Sequence, residues 1–128
     1  MRIKIYHVDS FADKLFKGNP ACVISLETWL SDDLLLKIAK ENALPETAFF
    51  IQDKDRFQLR WFTPDIEMDL CGHATLAAAY CIKEIHKYTE NKILFKTLSG
   101  ELTVIKKNDF YELNLPSRMP SKSSLPLS

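Results

Sequence analysis

The chain has 128 residues, 46% of them hydrophobic, which suits one domain with a sizeable core. Lys and Arg together number 17, as do Asp and Glu, so a net charge of zero gives no electrostatic grip on nucleic acid or an anionic membrane. The three cysteines, Cys22, Cys71 and Cys81, lack Cys-x-x-Cys spacing and read as thiols in a reducing cytosol, not as a disulfide framework or zinc site. Met1 to Ile5 lacks the apolar run of a signal peptide, which adds to a cytoplasmic expectation.

Arg2 to Val8 alternates polar and apolar residues and predicts a strand with Ile3, Ile5 and His7 on one face. Lys17-Gly18-Asn19-Pro20 is turn chemistry, and the apolar run Ala21 to Leu26 predicts a second strand. Ser31 is a good helix cap, followed by Asp32 and Asp33 in a first turn. Leu34, Leu35, Ile38 and Ala39 then form a helical stripe ending near Asn42.

Glu46 to Gln52 and Phe57 to Thr63 are β-branched and aromatic, and the short polar segment Asp53 to Arg56 between them predicts a hairpin. Pro64 stops the second of these strands. From Cys71 to Ile82 no side chain carries a formal charge, so a helix there is apolar around most of its circumference and belongs inside a core. These twelve residues are too few to cross a bilayer, which takes about 20. Three further strands are expected at Lys92 to Leu98, Glu101 to Lys106 and Phe110 to Leu115. Pro116 to Ser128 holds three of the six prolines and no periodicity, the composition of a linker or a disordered tail. The expected architecture is therefore α+β, with a lobe over residues 1–115, a tail over 116–128, and too little strand–helix alternation for a parallel fold.

Four positions carry candidate chemistry. Glu46 is the one acid at the mouth of an apolar strand, where lost hydration suits a carboxylate to exchange protons; the competing reading is a solvated glutamate at a strand start. Cys71 sits where the central helix begins, and a thiol there is expected to have a lowered pKa, although a small buried hydrophobe fits equally well. Gly72 permits close approach of a ligand to unpaired helix amides, which favour a carboxylate. His73 is placed to donate to such an anion or to shuttle a proton. Asp69 and Thr75 serve the plainer reading, in which they cap and space an ordinary buried helix. His7 and His86 show no partner pattern, and no spacing supports a metal site, a phosphate loop or a dinucleotide fingerprint.

Five blocks occur in a characteristic order: Tyr6-His7-Val8-Asp9-Ser10-Phe11, Gly18-Asn19-Pro20-Ala21, Leu44-Pro45-Glu46-Thr47-Ala48-Phe49, Arg60-Trp61-Phe62-Thr63-Pro64 and Leu70-Cys71-Gly72-His73-Ala74-Thr75. This series resembles the N-terminal half of the phenazine-biosynthesis PhzF-like isomerase family, as far as Leu115-Pro116. The resemblance implies one lobe of a diaminopimelate-epimerase-like fold, a mixed, mostly antiparallel sheet wrapped around a central buried helix, with the active site between two such lobes. It implies an isomerase that moves a proton within a small anionic, carboxylate-bearing substrate without cofactor or metal. Glu46 would be the acid/base, Gly72 and His73 would hold substrate, and Asp9, Gly18 and Asn19 would shape the cleft.

Family chains are about twice as long, and the second lobe is missing from this sequence. Cys71 also stands where related epimerases and racemases keep a catalytic cysteine. Two alternatives therefore stand beside the isomerase: an amino-acid epimerase or racemase using Cys71, and an inactive half-length product or binding module. A lone lobe is further expected to expose apolar surface around Leu44, Phe62 and the Cys71-Gly72 turn. A homodimer through that face, or through open strand edges, would cover it.

Overall fold

The structure, a computed structural model, describes residues 3–8, 21–42, 44–108 and 110–114. In chain order the elements are β1 (Lys4–Val8), β2 (Ala21–Ser25), α1 (Asp32–Asn42), β3 (Glu46–Asp53), β4 (Arg56–Phe62), β5 (Glu67–Met68), α2 (Gly72–Tyr80), β6 (Lys92–Thr97), β7 (Gly100–Lys107) and β8 (Phe110–Asn114). The α2 helix runs on into a single π-helical stretch, Cys81–Ile85, so the helical segment extends past the expected end at Ile82.

The strands form one sheet in the order β1-β2-β3-β4-β6-β7-β8, with the short β5 paired to the far end of β4. Pairs β2–β3 and β4–β6 are parallel, and the rest are antiparallel, giving the expected mixed, mostly antiparallel sheet. The β4–β6 pairing is confined to Phe57 with Phe95 and Gln58 with Lys96, while the other half of β4 pairs with β5. The three tight hairpins put Lys54, Asn108 and Gly100 at positive φ; at Gly100, φ is 102°, beyond the left-handed helical region where side chains are tolerated.

Period-two alternation divides the core. Along β2, β3 and β4, the residues Ala21, Val23, Ala48, Phe50, Phe57, Leu59 and Trp61 face α2, joined by Ile93, Phe95, Leu102 and Val104 from β6 and β7. Cys22, Ile24, Phe49 and Phe62 point to the other face, where Leu35 and Ala39 of α1 cover them. Both faces of the middle strands are thus buried, which is why β2 and β3 read as continuous apolar runs. The α2 helix is the axis of the larger cluster: Ala74, Thr75, Ala77, Ala78 and Ala79 are fully buried, and Leu76 is 8% exposed. Small residues on nearly every side let the sheet approach α2 closely around its circumference.

The helix α1 is capped by Ser31, whose hydroxyl accepts from the Leu34 amide at 3.2 Å. Leu34 itself is exposed, because α1 presses only one narrow side on the sheet through Leu35 and Ala39. Along β1, Ile3, Ile5 and His7, expected on one face, are all exposed, and Tyr6 packs on the core. In a strand a one-residue difference in phase exchanges the two faces. Here the aromatic ring takes the inside, and its hydroxyl meets His86 Nε2 at 3.1 Å. His86 therefore has partners after all, being also edge-on to Phe50. Glu84, on the π-helical stretch, accepts from Lys106 Nζ and Tyr111 Oη, both at 2.7 Å, and ties the end of the helix to β7 and β8. The expected tail over 116–128 lies outside the described residues.

Candidate active site

The chemistry collects where β3 begins and α2 begins. Glu46 is the first residue of β3, held in register opposite Ala21 of the parallel neighbour β2, and the next residue, Thr47, pairs with Phe62 of β4. Thr47 is buried and its hydroxyl accepts from Asn42 Nδ2 at 3.3 Å, which ties the start of β3 to the end of α1. Across the core, Cys71 takes the cap position of α2 with extended backbone (φ −144°, ψ 105°), and Gly72 opens the helix. Asp69 does not cap it: its backbone carbonyl accepts from the Ser99 hydroxyl at 2.6 Å, which holds the approach to α2 against the β6–β7 turn.

This arrangement brings His73 Nε2 to 2.8 Å from Glu46 Oε1, although 27 residues separate the two in sequence. Both side chains are largely removed from water, at 9% and 17% exposure for His73 and Glu46. The Cys71 thiol joins them, so that one potential ligand atom from each of Glu46, Cys71 and His73 lies within 4.8 Å of the other two. The opening amides of α2 have no intrahelical acceptors and add the positive end of the helix dipole. A carboxylate, a ring nitrogen, a thiol and the start of a helix therefore share one place.

The thiol differs from the sequence expectation. Burial pushes Cys71 up to about 12, Glu46 nearby pushes in the same direction, and the Ala74 amide opposes them. A helix start lowers a thiol pKa only where the thiolate is solvated, and here the sulfur is packed into the core. At pH 8 roughly one Cys71 in 10⁴ is thiolate, against roughly a quarter for an ordinary cysteine, so alkylation of native Cys71 by iodoacetamide is expected to be slower by about 10³-fold. Cys22 and Cys81 are likewise buried and raised, to about 11 and about 12, so rapid labelling of any single site in folded protein would contradict this picture.

Of the other expected site residues, Gly72 lies beside this cluster and is half-buried. Asn19, Asp9 and Gly18 fall outside the described residues. The expected apolar patch around Leu44, Phe62 and the Cys71-Gly72 turn is not formed: Phe62 is 2% and Cys71 6% exposed, and Leu44 packs on the α1 side of the sheet. The Phe62 ring is turned to the outer face, where α1 covers it.

Sequence reasoning missed a buried positioning chain. Trp61 Nε1–H donates to Thr75 Oγ1 at 2.9 Å, and the Thr75 hydroxyl donates to the Cys71 carbonyl at 2.7 Å. The first turn of α2 is thereby fastened to β4. Its signal in the sequence was a threonine hydroxyl inside an apolar helix together with a tryptophan needing an acceptor. A cavity of about 560 Å³ lies at the opposite ends of β2 and β3, lined in part by Phe50, Phe57, His86 and Tyr88, and does not include Glu46, Cys71 or His73.

A family model described as phenazine biosynthesis-like protein matches residues 8–125, almost the whole chain. The chain belongs to the phenazine biosynthesis-like protein family. Among members of this family, an uncharacterized isomerase of Pseudomonas aeruginosa is 45% identical over 128 residues, covering 98% of this chain and 49% of that relative. A crystal structure of a phenazine biosynthesis PhzC/PhzF protein from Clostridium difficile is 53% identical with a TM-score of 0.79, over 86% of this chain and 42% of that one. A structure described as a predicted epimerase of Pseudomonas aeruginosa, 21% identical with a TM-score of 0.62, shares the fold. The chain thus spans about half the length of the curated relative it matches. Among the described residues of this PhzF-like lobe, no helix is long and apolar enough to cross a membrane.

Proposed function

We propose that this PhzF-like lobe carries the proton-transfer half of an isomerase site acting on a small carboxylate-bearing substrate. The observation that carries this reading is the 2.8 Å approach of Glu46 to His73 at the α2 entrance. In this reading the substrate carboxylate sits on the opening amides of α2 at Gly72, where the helix dipole offsets its charge. Glu46 takes a proton from a carbon near that carboxylate, and His73 stabilises the negative charge that develops. Glu46 returns the proton to a different carbon, so the double bond shifts with no net change in protons or electrons and no cofactor is required. The high Cys71 pKa weighs against the alternative in which Cys71 is the base of an epimerase or racemase.

The test is deuterium incorporation. Small unsaturated carboxylates and amino acids are incubated with the chain in D₂O and followed by NMR and mass spectrometry. Solvent deuterium appearing at carbon in an unsaturated acid, with a shifted double bond, supports the isomerase. Exchange at the α-carbon of an amino acid with loss of chirality favours the epimerase, and no exchange across the panel favours an inactive module.

The same reading assigns a partner. The face with Glu46 and the α2 entrance is the one that, by resemblance, meets a second lobe, and a second copy of the chain is proposed to cover it. Light scattering at micromolar concentration is expected to give about twice the 14.8 kDa chain mass. A monodisperse species at the single-chain mass would refute the homodimer.

A further inference from the structure

Glu46, Cys71 and His73 offer one oxygen, one sulfur and one nitrogen ligand, mutually within 4.8 Å, and that combination has a second consequence. We propose that these three side chains bind a borderline-soft divalent cation of the zinc class, and that its occupancy switches the site off. Three ligands around a tetrahedral ion of this kind stand roughly 3.4–3.6 Å apart, given bond lengths of about 2.0–2.3 Å. Glu46 and His73, now 2.8 Å apart, need to open by roughly 0.6–0.8 Å, and the widest pair, at most 4.8 Å, needs to close by up to roughly 1.2–1.4 Å, both within reach of side-chain rotation.

The charges fit as well. A thiolate and a carboxylate neutralise a dication, and the helix dipole at α2, equivalent to roughly half a charge, is too small to reverse that balance. On binding, the thiol proton leaves to solvent as the sulfur–metal bond forms. His73 binds through Nε2 with its ring proton on Nδ1. The ligand set sorts metals: sulfur with imidazole favours Zn²⁺, Co²⁺ and Cd²⁺ over Mg²⁺ and Ca²⁺, which prefer all-oxygen shells. Three protein ligands also leave a fourth position on the side where Glu46 is open to solvent. An ion held there occupies the Glu46 oxygen and the His73 nitrogen, the two groups that the proposed isomerase reading uses, and only this inhibitory consequence rests on that reading.

Cobalt titration of the reduced, chelator-stripped 128-residue chain reads the site without turnover. One equivalent of Co²⁺ is expected to give a near-ultraviolet thiolate charge-transfer band and the intense visible bands of four-coordinate cobalt. Excess Zn²⁺ should abolish them, and millimolar Mg²⁺ should not. Cys71→Ser should remove the charge-transfer band, and both it and His73→Gln should weaken binding by at least about 100-fold. Cys22→Ser and Cys81→Ser should retain the band. Circular dichroism checks each fold, and if Cys71→Ser does not fold, His73→Gln and Glu46→Gln carry the comparison. A weak octahedral cobalt spectrum, or a charge-transfer band that survives in Cys71→Ser, overturns the site. Deuterium exchange that proceeds at full rate in saturating Zn²⁺ overturns the switch. Cobalt binding in a chain that catalyses no exchange upholds the site and removes the isomerase reading.

Discussion

Replacing Glu46 by glutamine is expected to lower the rate of deuterium exchange by at least about 10²-fold, while Cys71→Ala stays within a few-fold of the parent. Glutamine keeps the size of the side chain and a carbonyl oxygen within reach of His73 Nε2, so the entrance to α2 is preserved and the loss isolates the base. The Cys71 variant removes a sulfur that burial holds protonated, a state in which it neither takes up a proton nor attacks carbon. Measured side by side on one substrate, the two variants separate the acid/base mechanisms. A loss at Cys71→Ala exceeding the loss at Glu46→Gln would transfer the catalytic role to the thiol. Comparable exchange in Glu46→Gln and the parent would remove Glu46 from the chemistry altogether.

Trp61→Ala is expected to destabilise the lobe by about 3–5 kcal/mol, a large part of the roughly 5–15 kcal/mol that holds a domain together. Trp61 is 1% exposed and among the largest fully buried side chains, so its removal leaves a cavity between β4 and α2. It also takes the indole donor from Thr75. Trp61→Phe keeps most of the apolar volume and loses mainly that hydrogen bond, at a cost of about 1 kcal/mol. Thr75 then still donates to the Cys71 carbonyl but is less firmly oriented. Urea midpoints at constant slope measure both changes. If Trp61→Ala cost less than about 1.5 kcal/mol, the account of α2 as a helix clamped by β4 would be wrong. Trp61→Phe has a second expected readout, a fall in exchange rate larger than the stability loss explains, because it loosens the turn that carries Gly72 and His73.

Much of the fold was legible in local pattern. The charge-free run from Cys71 to Ile82 marks the buried α2 helix because a helix without a polar side has no solvent face to present. The serine cap of α1, the hairpins and seven of the eight strands follow from short-range chemistry: hydroxyl caps, turn residues and runs of β-branched and aromatic side chains. Glu46 and His73 could each be singled out, since a lone acid at an apolar strand and a histidine at a helix start are visible as residues.

Only the tertiary structure decided how those residues meet. The 2.8 Å contact between Glu46 and His73 depends on the β2–β3–β4 register and on where α2 crosses the sheet, neither of which is encoded in a local window. Which face of β1 turns inward is likewise a long-range matter: Tyr6 packs on the core and meets His86, while Ile3 and Ile5 stay exposed. Phe62 turned outward because α1 supplies a cover there, and the two-residue β5 carries too few residues to leave a pattern. The Cys71 thiol shows the division most sharply. Its place at the start of a helix is written in the sequence and predicts a low pKa, but packing decides how much water reaches the sulfur, and desolvation outweighs the helix.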